Sequence, residues 1–303
     1  MTLFGIQMEW MKMNKDYLAK SLAFDGEIRI YAARTTALVE VANQNVGAYP
    51  TAAAAIGRTL TATVMMGSML KGKETITVRI NGGGPIGVIV ADANAHGKVR
   101  GYASNPRVHF QYDSGKLNVG MAVGTTGDLY VTKDLGLKEY FTGQVPLQTG
   151  EIGDDFTYYF TQSEQTPSAV GLGVLVSPEN EVIAAGGFII QVMPNASEVA
   201  IGTLERSLST IRPVSDMIAD GMTPEAMIAE LVGEGNFKIL ETMPLAFECQ
   251  CSKEKFIPGL TSLGNEELEV MIKEDDGAET VCHFCMKKYQ FTAEELEALK
   301  VNG

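Results

Sequence analysis

Cysteine is missing from the first 248 residues of this 303-residue chain. No disulfide can staple that part of the molecule, so the bridged framework of a small secreted domain is excluded there. Histidine is nearly as scarce: His96 stands in the turn-like NAHG, His109 in RVHFQY, and His283 near the end. Neither His96 nor His109 belongs to a recognisable nucleophile–base motif, and G-x-S-x-G, H-E-x-x-H and the P-loop pattern are absent. Asp92, Asp154 and Asp155 are candidate carboxylates, but turn and surface roles account for them as well. The first 195 residues therefore offer no catalytic constellation. No apolar run approaches the ~18 residues of a spanning helix, so no membrane partner is expected.

Positive charge is short in the last third. Residues 196–303 carry 9 Lys and Arg against 20 Asp and Glu, net −11, whereas residues 1–195 carry 15 against 17, net −2. Such a segment repels phosphate backbones, and no nucleic-acid partner is expected. Gly82–Gly87 reads GGGPIG, a literal G-x-G-x-x-G. The dinucleotide fingerprint needs a helix opening directly after the glycines, with its N-terminus on the pyrophosphate. Here Pro85 intervenes and the strand-like VIVADA follows, so the run is expected to be a turn between strands.

What is present reads as an α+β protein with a mainly antiparallel sheet core. LAFDGEIRIYAARTT is expected to enter a strand with Ile28, Ile30 and Ala32 on one face. YPTAAAAIGRTLTATVMMGSMLKG reads as a helix with Pro50 near its start and Gly72 past its end. Arg58 is its one charge between Pro50 and Leu70, so the helix is expected to be buried all round. TITVRI, GVIVADA, KVRGYAS, DLYVTKD, FTYYFTQSE, AVGLGVLVSP and EVIAAGGFIIQVMP read as strands. They lack a steady βαβ rhythm, which favours antiparallel pairing.

The domain organisation follows the composition. Residues 1–12, MTLFGIQMEWMK, hold the single tryptophan, Trp10, and are expected to be a leader or a misassigned start before Met13. Residues 13–195 form the α+β core. Residues 196–242 form a helical linker. Ile201, Leu204, Leu208 and Ile211 recur at helical spacing, and Thr223 is placed to cap a second helix with Pro224 first and Gly233 past its end. Pro213, Gly221 and Gly233 keep these helices short, so they can dock on a neighbour but cannot build a core of their own. Residues 243–303 form a small C-terminal zinc-binding domain that ends in a helix, for which Thr292-Ala-Glu-Glu295 supplies a capping box.

The zinc expectation rests on the cysteines. Cys249-x-Cys251 and Cys282-x-x-Cys285 give two close pairs of soft ligands, and two such turns can complete a tetrahedron. The second pair has the common knuckle spacing, and the first is tighter than usual. Two disulfides of a secreted domain are the alternative, disfavoured because the cysteines cluster instead of stapling distant loops. A domain of this size buries little apolar surface and often needs a staple. Structural zinc supplies on the order of 10–16 kcal/mol of apparent binding free energy, which becomes folding free energy. Oxidation of the thiolates would remove the metal, and the cysteines are placed to form disulfides locally. A Cys-x-x-Cys pair closes readily, whereas a Cys-x-Cys disulfide is strained and is expected second.

At these residues the chain resembles the 33-kilodalton chaperonins, the redox-regulated holdase heat-shock proteins of bacteria. RTTALV, GGGPIGVIVADANAHGKVRGYASNP, KDLGLKEYFTGQV, GEIGDDFTYYFTQSEQTPS and ETMPLAFECQCSKEKF…VCHFCMKKYQF carry the resemblance, from about Asp16 to the end. It implies a cytoplasmic, ATP-independent chaperone, not an enzyme. Zinc on Cys249, Cys251, Cys282 and Cys285 would hold the reduced form inactive. Oxidation would form Cys249–Cys251 and Cys282–Cys285 disulfides, release zinc and unfold the linker. Apolar surface on the linker and on the sheet beneath it would then bind unfolding client proteins, with a homodimer as the oxidised state. Two other classes compete: an α+β enzyme with an accessory zinc module, and a zinc-ribbon module for nucleic acid, which the net charge disfavours.

Overall fold

Residues 15–300 are described by the structure, a computed structural model. The expected leader over residues 1–12 lies outside them. The chain forms two compact units, one up to Glu248 and one from Cys249. Residues 196–242 thus fall within the first unit, and residues 243–248, expected to open the zinc-binding domain, do as well.

The first unit opens with β1 (Tyr17–Ala23), β2 (Ile28–Arg34), α1 (Thr36–Val46) and α2 (Pro50–Gly67). It continues through β3 (Thr75–Asn81), β4 (Val88–Asn94), β5 (Lys98–Ala103), α3 (Val119–Val123), β6 (Asp128–Asp134), β7 (Phe141–Pro146) and α4 (Gly153–Gln162). Next come β8 (Ser168–Val176), β9 (Val182–Val192), α5 (Glu198–Thr210), α6 (Val214–Ala219), α7 (Pro224–Val232), β10 (Phe237–Pro244) and β11 (Ala246–Phe247). One sheet has the order β10-β1-β2-β9-β8, the other β11-β5-β4-β3-β6-β7. All pairings are antiparallel except the short β11–β5 contact, which makes the fold the expected α+β class.

Helix α2 explains its own composition. It packs on β3, β4 and β5 of one sheet and on β8 and β9 of the other, so both of its sides face protein. Every residue except Pro50 and Arg58 is buried. Thr59, Thr61 and Thr63 satisfy their hydroxyls on the carbonyls of Ala55, Gly57 and Thr59, so the polar side chains cost little inside the core. The one charge, Arg58, donates to the Glu151 carboxylate at 2.6 Å and to its backbone carbonyl at 3.0 Å.

The GGGPIG run is the turn between β3 and β4, and no helix opens after it. Its glycines serve a close backbone approach. A Cβ on Gly82 would lie 2.3 Å from the carbonyl oxygen of Gly124, and one on Gly84 would lie 2.4 Å from that of Ala122. FTYYFTQSE, expected as a strand, is instead most of α4. Phe156, Tyr159 and Phe160 lie at i, i+3 and i+4 and are buried together on one helical face. The β-propensity of Phe, Tyr and Thr concealed that period.

The five-stranded sheet is covered on both faces. Ile28, Ile30 and Ala32 of β2 share one face, as expected, with Phe188 and Ile190 of β9. That face carries the segment expected as the linker: Ala200 and Leu204 of α5, Met217 and Ile218 of α6, and Met227, Ile228, Leu231 and Val232 of α7 are all buried on it. Thr223 Oγ1 accepts the Ala226 N–H at 3.2 Å, Pro224 begins α7 and Gly233 follows it, as the sequence predicts. Ile201 does not belong to the buried stripe; Ala200 does. The segment is also not wholly helical. Phe237 and Ile239 alternate toward the same cluster in β10, which hydrogen-bonds β1 at the edge of the sheet. Among the described residues no helix is long and apolar enough to cross a membrane.

Helix α6 lies over β8 and β9 at very short range. A Cβ on Gly173 would stand 2.3 Å from the Ser215 backbone nitrogen and 2.9 Å from Val214 Cβ. Backbone cannot yield as a side-chain tip can, so Gly173→Ala is expected to lift α6 and cost about 1–3 kcal/mol. The variant touches no cysteine. Limited trypsinolysis should cut faster at Arg206 and Arg212 than in the parent protein. Unchanged cleavage kinetics and stability would contradict this packing.

Candidate metal centre

The second unit is small and its apolar core is smaller still. Helices α8 (Ile257–Ser262) and α9 (Asn265–Asp275) precede a hairpin of β12 (Gly277–Val281) and β13 (Lys288–Thr292), and α10 (Ala293–Leu299) ends it. Its hydrophobic cluster has four buried members among the described residues: Leu260, Leu268, Phe291 and Leu296. At about 1.5–3 kcal/mol per fully buried side chain, these contribute roughly 6–12 kcal/mol in all.

The hairpin positions the second cysteine pair. Cys282 and Cys285 occupy the turn between β12 and β13, closed by Cys282 N–H donating to Lys287 O at 3.0 Å and Met286 N–H donating to Cys282 O at 2.8 Å. The first pair opens the unit and is tied to its end. Lys253, two residues past Cys251, pairs with Glu295 and lies 4.8 Å from the centre of the Phe291 ring. Glu295 is also the capping residue of α10. Its carboxylate accepts the Thr292 N–H at 2.9 Å, while Thr292 Oγ1 accepts the Glu295 N–H at 3.2 Å, the capping box the sequence predicts.

These constraints bring the four sulfurs together. Cys249, Cys251, Cys282 and Cys285 place their Sγ atoms within 4.8 Å of one another. Cys249 and Cys282 are 3.6 Å apart, and Cys251 and Cys285 are 3.4 Å apart. All four are unbridged. A tetrahedron of sulfurs around a zinc at ~2.3 Å has edges of about 3.8 Å. The cluster therefore has nearly the dimensions of such a site and could hold a metal ion.

Electrostatics within the cluster are uneven. Burial, the largest effect, raises the Cys251 thiol, but hydrogen bonds from Tyr289 and the neighbouring thiols outweigh it and bring it down to about 7. Burial and the surrounding thiols push Cys285 up to about 12 and raise Cys249. Cys251 thus gives up its proton before Cys249 and Cys285. Metal binding to such thiols releases the remaining protons and strengthens as pH rises.

The other candidates from the sequence have structural partners. The Arg100 guanidinium donates twice to Asp92, at 3.0 and 2.9 Å, and Thr77 donates to the same carboxylate at 2.8 Å. Asp155 is fully buried and accepts the backbone N–H groups of Gln148, Thr149 and Ile152, which ties the loop before α4 to its first turn. Asp154 accepts from Thr149 Oγ1 at 3.0 Å. His109 Nδ1 lies 3.3 Å from Thr51 Oγ1. The residue that sequence reasoning missed is Tyr289, whose hydroxyl reaches Cys251. Nothing in KKYQF signals it, because the contact depends on how β13 faces the first cysteine pair.

Comparison with known proteins decides the family. The family model described as Hsp33 protein matches residues 16–292. The chain belongs to the Hsp33 family. Among Hsp33 relatives, the 33 kDa chaperonin of Bacillus subtilis is 57% identical over 286 residues, covering 94% of this chain and 98% of the relative. That of Staphylococcus aureus is 56% identical over 288 residues, covering 95% and 98%. The crystal structure of the 33 kDa chaperonin of Thermotoga maritima superposes with a TM-score of 0.87 at 34% identity, covering 94% of this chain and 98% of that one. Membership in the Hsp33 family makes this chain a member of a chaperone family.

Cys282→Ser removes one of the four sulfurs and should weaken metal affinity by more than the ~10–100-fold that outer partners of a metal site carry. Competition with a chromophoric chelator measures it directly. A Cys282→Ser protein with parental affinity would show that this cluster is not where metal binds.

Proposed function

We propose that this chain is a redox-regulated, ATP-independent holdase whose switch is the four-cysteine cluster. The observation that carries the proposal is the pairing of four unbridged thiols within 4.8 Å with a unit whose apolar core has four buried members. Zinc held by Cys249, Cys251, Cys282 and Cys285 would supply a cross-link worth on the order of 10–16 kcal/mol, comparable to or larger than what that core contributes. In the reduced protein the cysteines keep the second unit folded and the chaperone inactive.

Peroxide or hypochlorite, aided by heat, converts the thiols to Cys249–Cys251 and Cys282–Cys285 disulfides. Forming each disulfide takes two electrons and two protons from a pair of thiols and reduces one peroxide to two waters. The four sulfurs then no longer form a ligand set, and the metal is released. Unfolding from Cys249 onward frees the chain that follows β10. An edge strand is held by hydrogen bonds on one side only, so fraying enters β10 first. Helices α5–α7 hold to the sheet by their apolar stripes and have no core of their own. Their loss exposes those stripes together with Ile28, Ile30, Phe188 and Ile190 of the sheet. Such a surface is apolar, extended and unspecific, as capture of unfolding client proteins requires. The oxidised form acts as a homodimer in the cytoplasm. The acidic last third disfavours nucleic acid as a partner, and the role requires no enzymatic step.

Zinc content, far-UV circular dichroism and light scattering of a heat-unfolding reporter protein test the proposal together. Peroxide with mild heat should release about one zinc per chain, reduce the helical signal and suppress reporter aggregation, and dithiothreitol with zinc should reverse all three. Zinc retained after oxidation of the four thiols, or an oxidised protein that leaves aggregation unchanged, would overturn it.

A further inference from the structure

Tyr289 lies on β13 opposite Thr280 of β12. Its hydroxyl oxygen is 3.2 Å from Cys251 Sγ and 3.0 Å from the Cys251 carbonyl oxygen. A phenol has one proton, so it can donate to only one of these acceptors at a time. The ring is fixed independently of the sulfur. Phe256 packs against it with centroids 5.3 Å apart, and Lys287 Nζ stands 5.2 Å from its centre. This packing aims the hydroxyl at Cys251.

We propose that Tyr289 is a positioning residue that restrains the reactivity of Cys251. Its O–H···S hydrogen bond draws electron density from the Cys251 sulfur and slows that sulfur's attack on peroxide. Once the sulfur is oxidised, the proton turns to the Cys251 carbonyl. The restrained step is a displacement: the Cys251 thiolate forms an S–O bond as the peroxide O–O bond breaks, and hydroxide leaves and is protonated to water. The sulfur loses two electrons, which the peroxide gains. Cys249 thiolate then attacks the resulting sulfenic acid, the S–S bond forms, the S–O bond breaks, and the hydroxyl leaves as a second water. A hydrogen bond to a thiolate weakens its nucleophilicity, so cutting it should free Cys251 selectively.

This inference rests on the redox reading above, and its test separates the two. Tyr289→Phe in the full chain keeps the ring and its packing on Phe256 but loses the donor. In the zinc-loaded proteins, where the ligand sulfurs are held as thiolates, alkylation of residual thiols after dilute peroxide, followed by mass spectrometry, should show Cys251 oxidised about threefold to tenfold faster than in the parent protein, with Cys282 and Cys285 unchanged. In the cobalt(II)-loaded variant the sulfur-to-metal charge-transfer bands should move to longer wavelength, because the Cys251 sulfur has become a better electron donor. Phe256→Leu loosens the packing that aims the hydroxyl but leaves the donor, and should move the ratio of Cys251 to Cys285 oxidation in the same direction by less. Equal acceleration of all four cysteines, an unchanged ratio in Tyr289→Phe, or a Phe256→Leu protein that shifts the ratio more than Tyr289→Phe would overturn the inference while leaving the redox switch intact. A parent protein that takes up no cobalt would overturn both.

Discussion

Everything distinctive in this molecule depends on four sulfurs being held close together in a unit too small to fold comfortably without them. Leu260, Leu268, Phe291 and Leu296 are the buried members of that unit's hydrophobic cluster among the described residues. Their contribution is comparable to, or less than, what a metal on four thiolates supplies. In the proposed function this balance ties the fold of the unit to the chemistry of its ligands, and a change in sulfur oxidation state would become a change in folding with no separate sensor.

The first unit is built on the opposite principle. Helix α2 sits between two sheets with nearly every side chain buried; Thr59, Thr61 and Thr63 bond carbonyls one turn back, and its one arginine pairs with Glu151. That face of the five-stranded sheet is permanent. The other face is covered by short helices that contribute stripes but no core, closed at one edge by β10. In the proposed function, one side of this sheet provides stability and the other provides apolar area that the helices would uncover.

Much of this was legible in the sequence because the deciding signals are local. The cysteine spacing, the Thr223–Pro224–Gly233 punctuation, the Thr292–Glu295 capping box and the all-round apolarity of α2 each depend on residues within one turn or one helix, and each appears as expected. The failures have a physical cause in tertiary context. FTYYFTQSE carries β-forming residues, yet its aromatics fall at helical spacing and the core takes them on one helical face. Phe237 and Ile239 look too sparse for a strand until β1 offers an edge to pair with. The Tyr289–Cys251 contact joins residues 38 positions apart and has no counterpart in any local pattern.

The proposed coupling between the cysteine cluster and the covered sheet face is best tested by hydrogen exchange followed residue by residue in the reduced, zinc-loaded protein and again after both disulfides have formed. If the sulfurs govern the cover, amides of α5, α6, α7 and β10 lose protection on oxidation while those of α2 keep theirs. Helices α5–α7 that stay as protected in the doubly oxidised, metal-free protein as in the reduced one would contradict it.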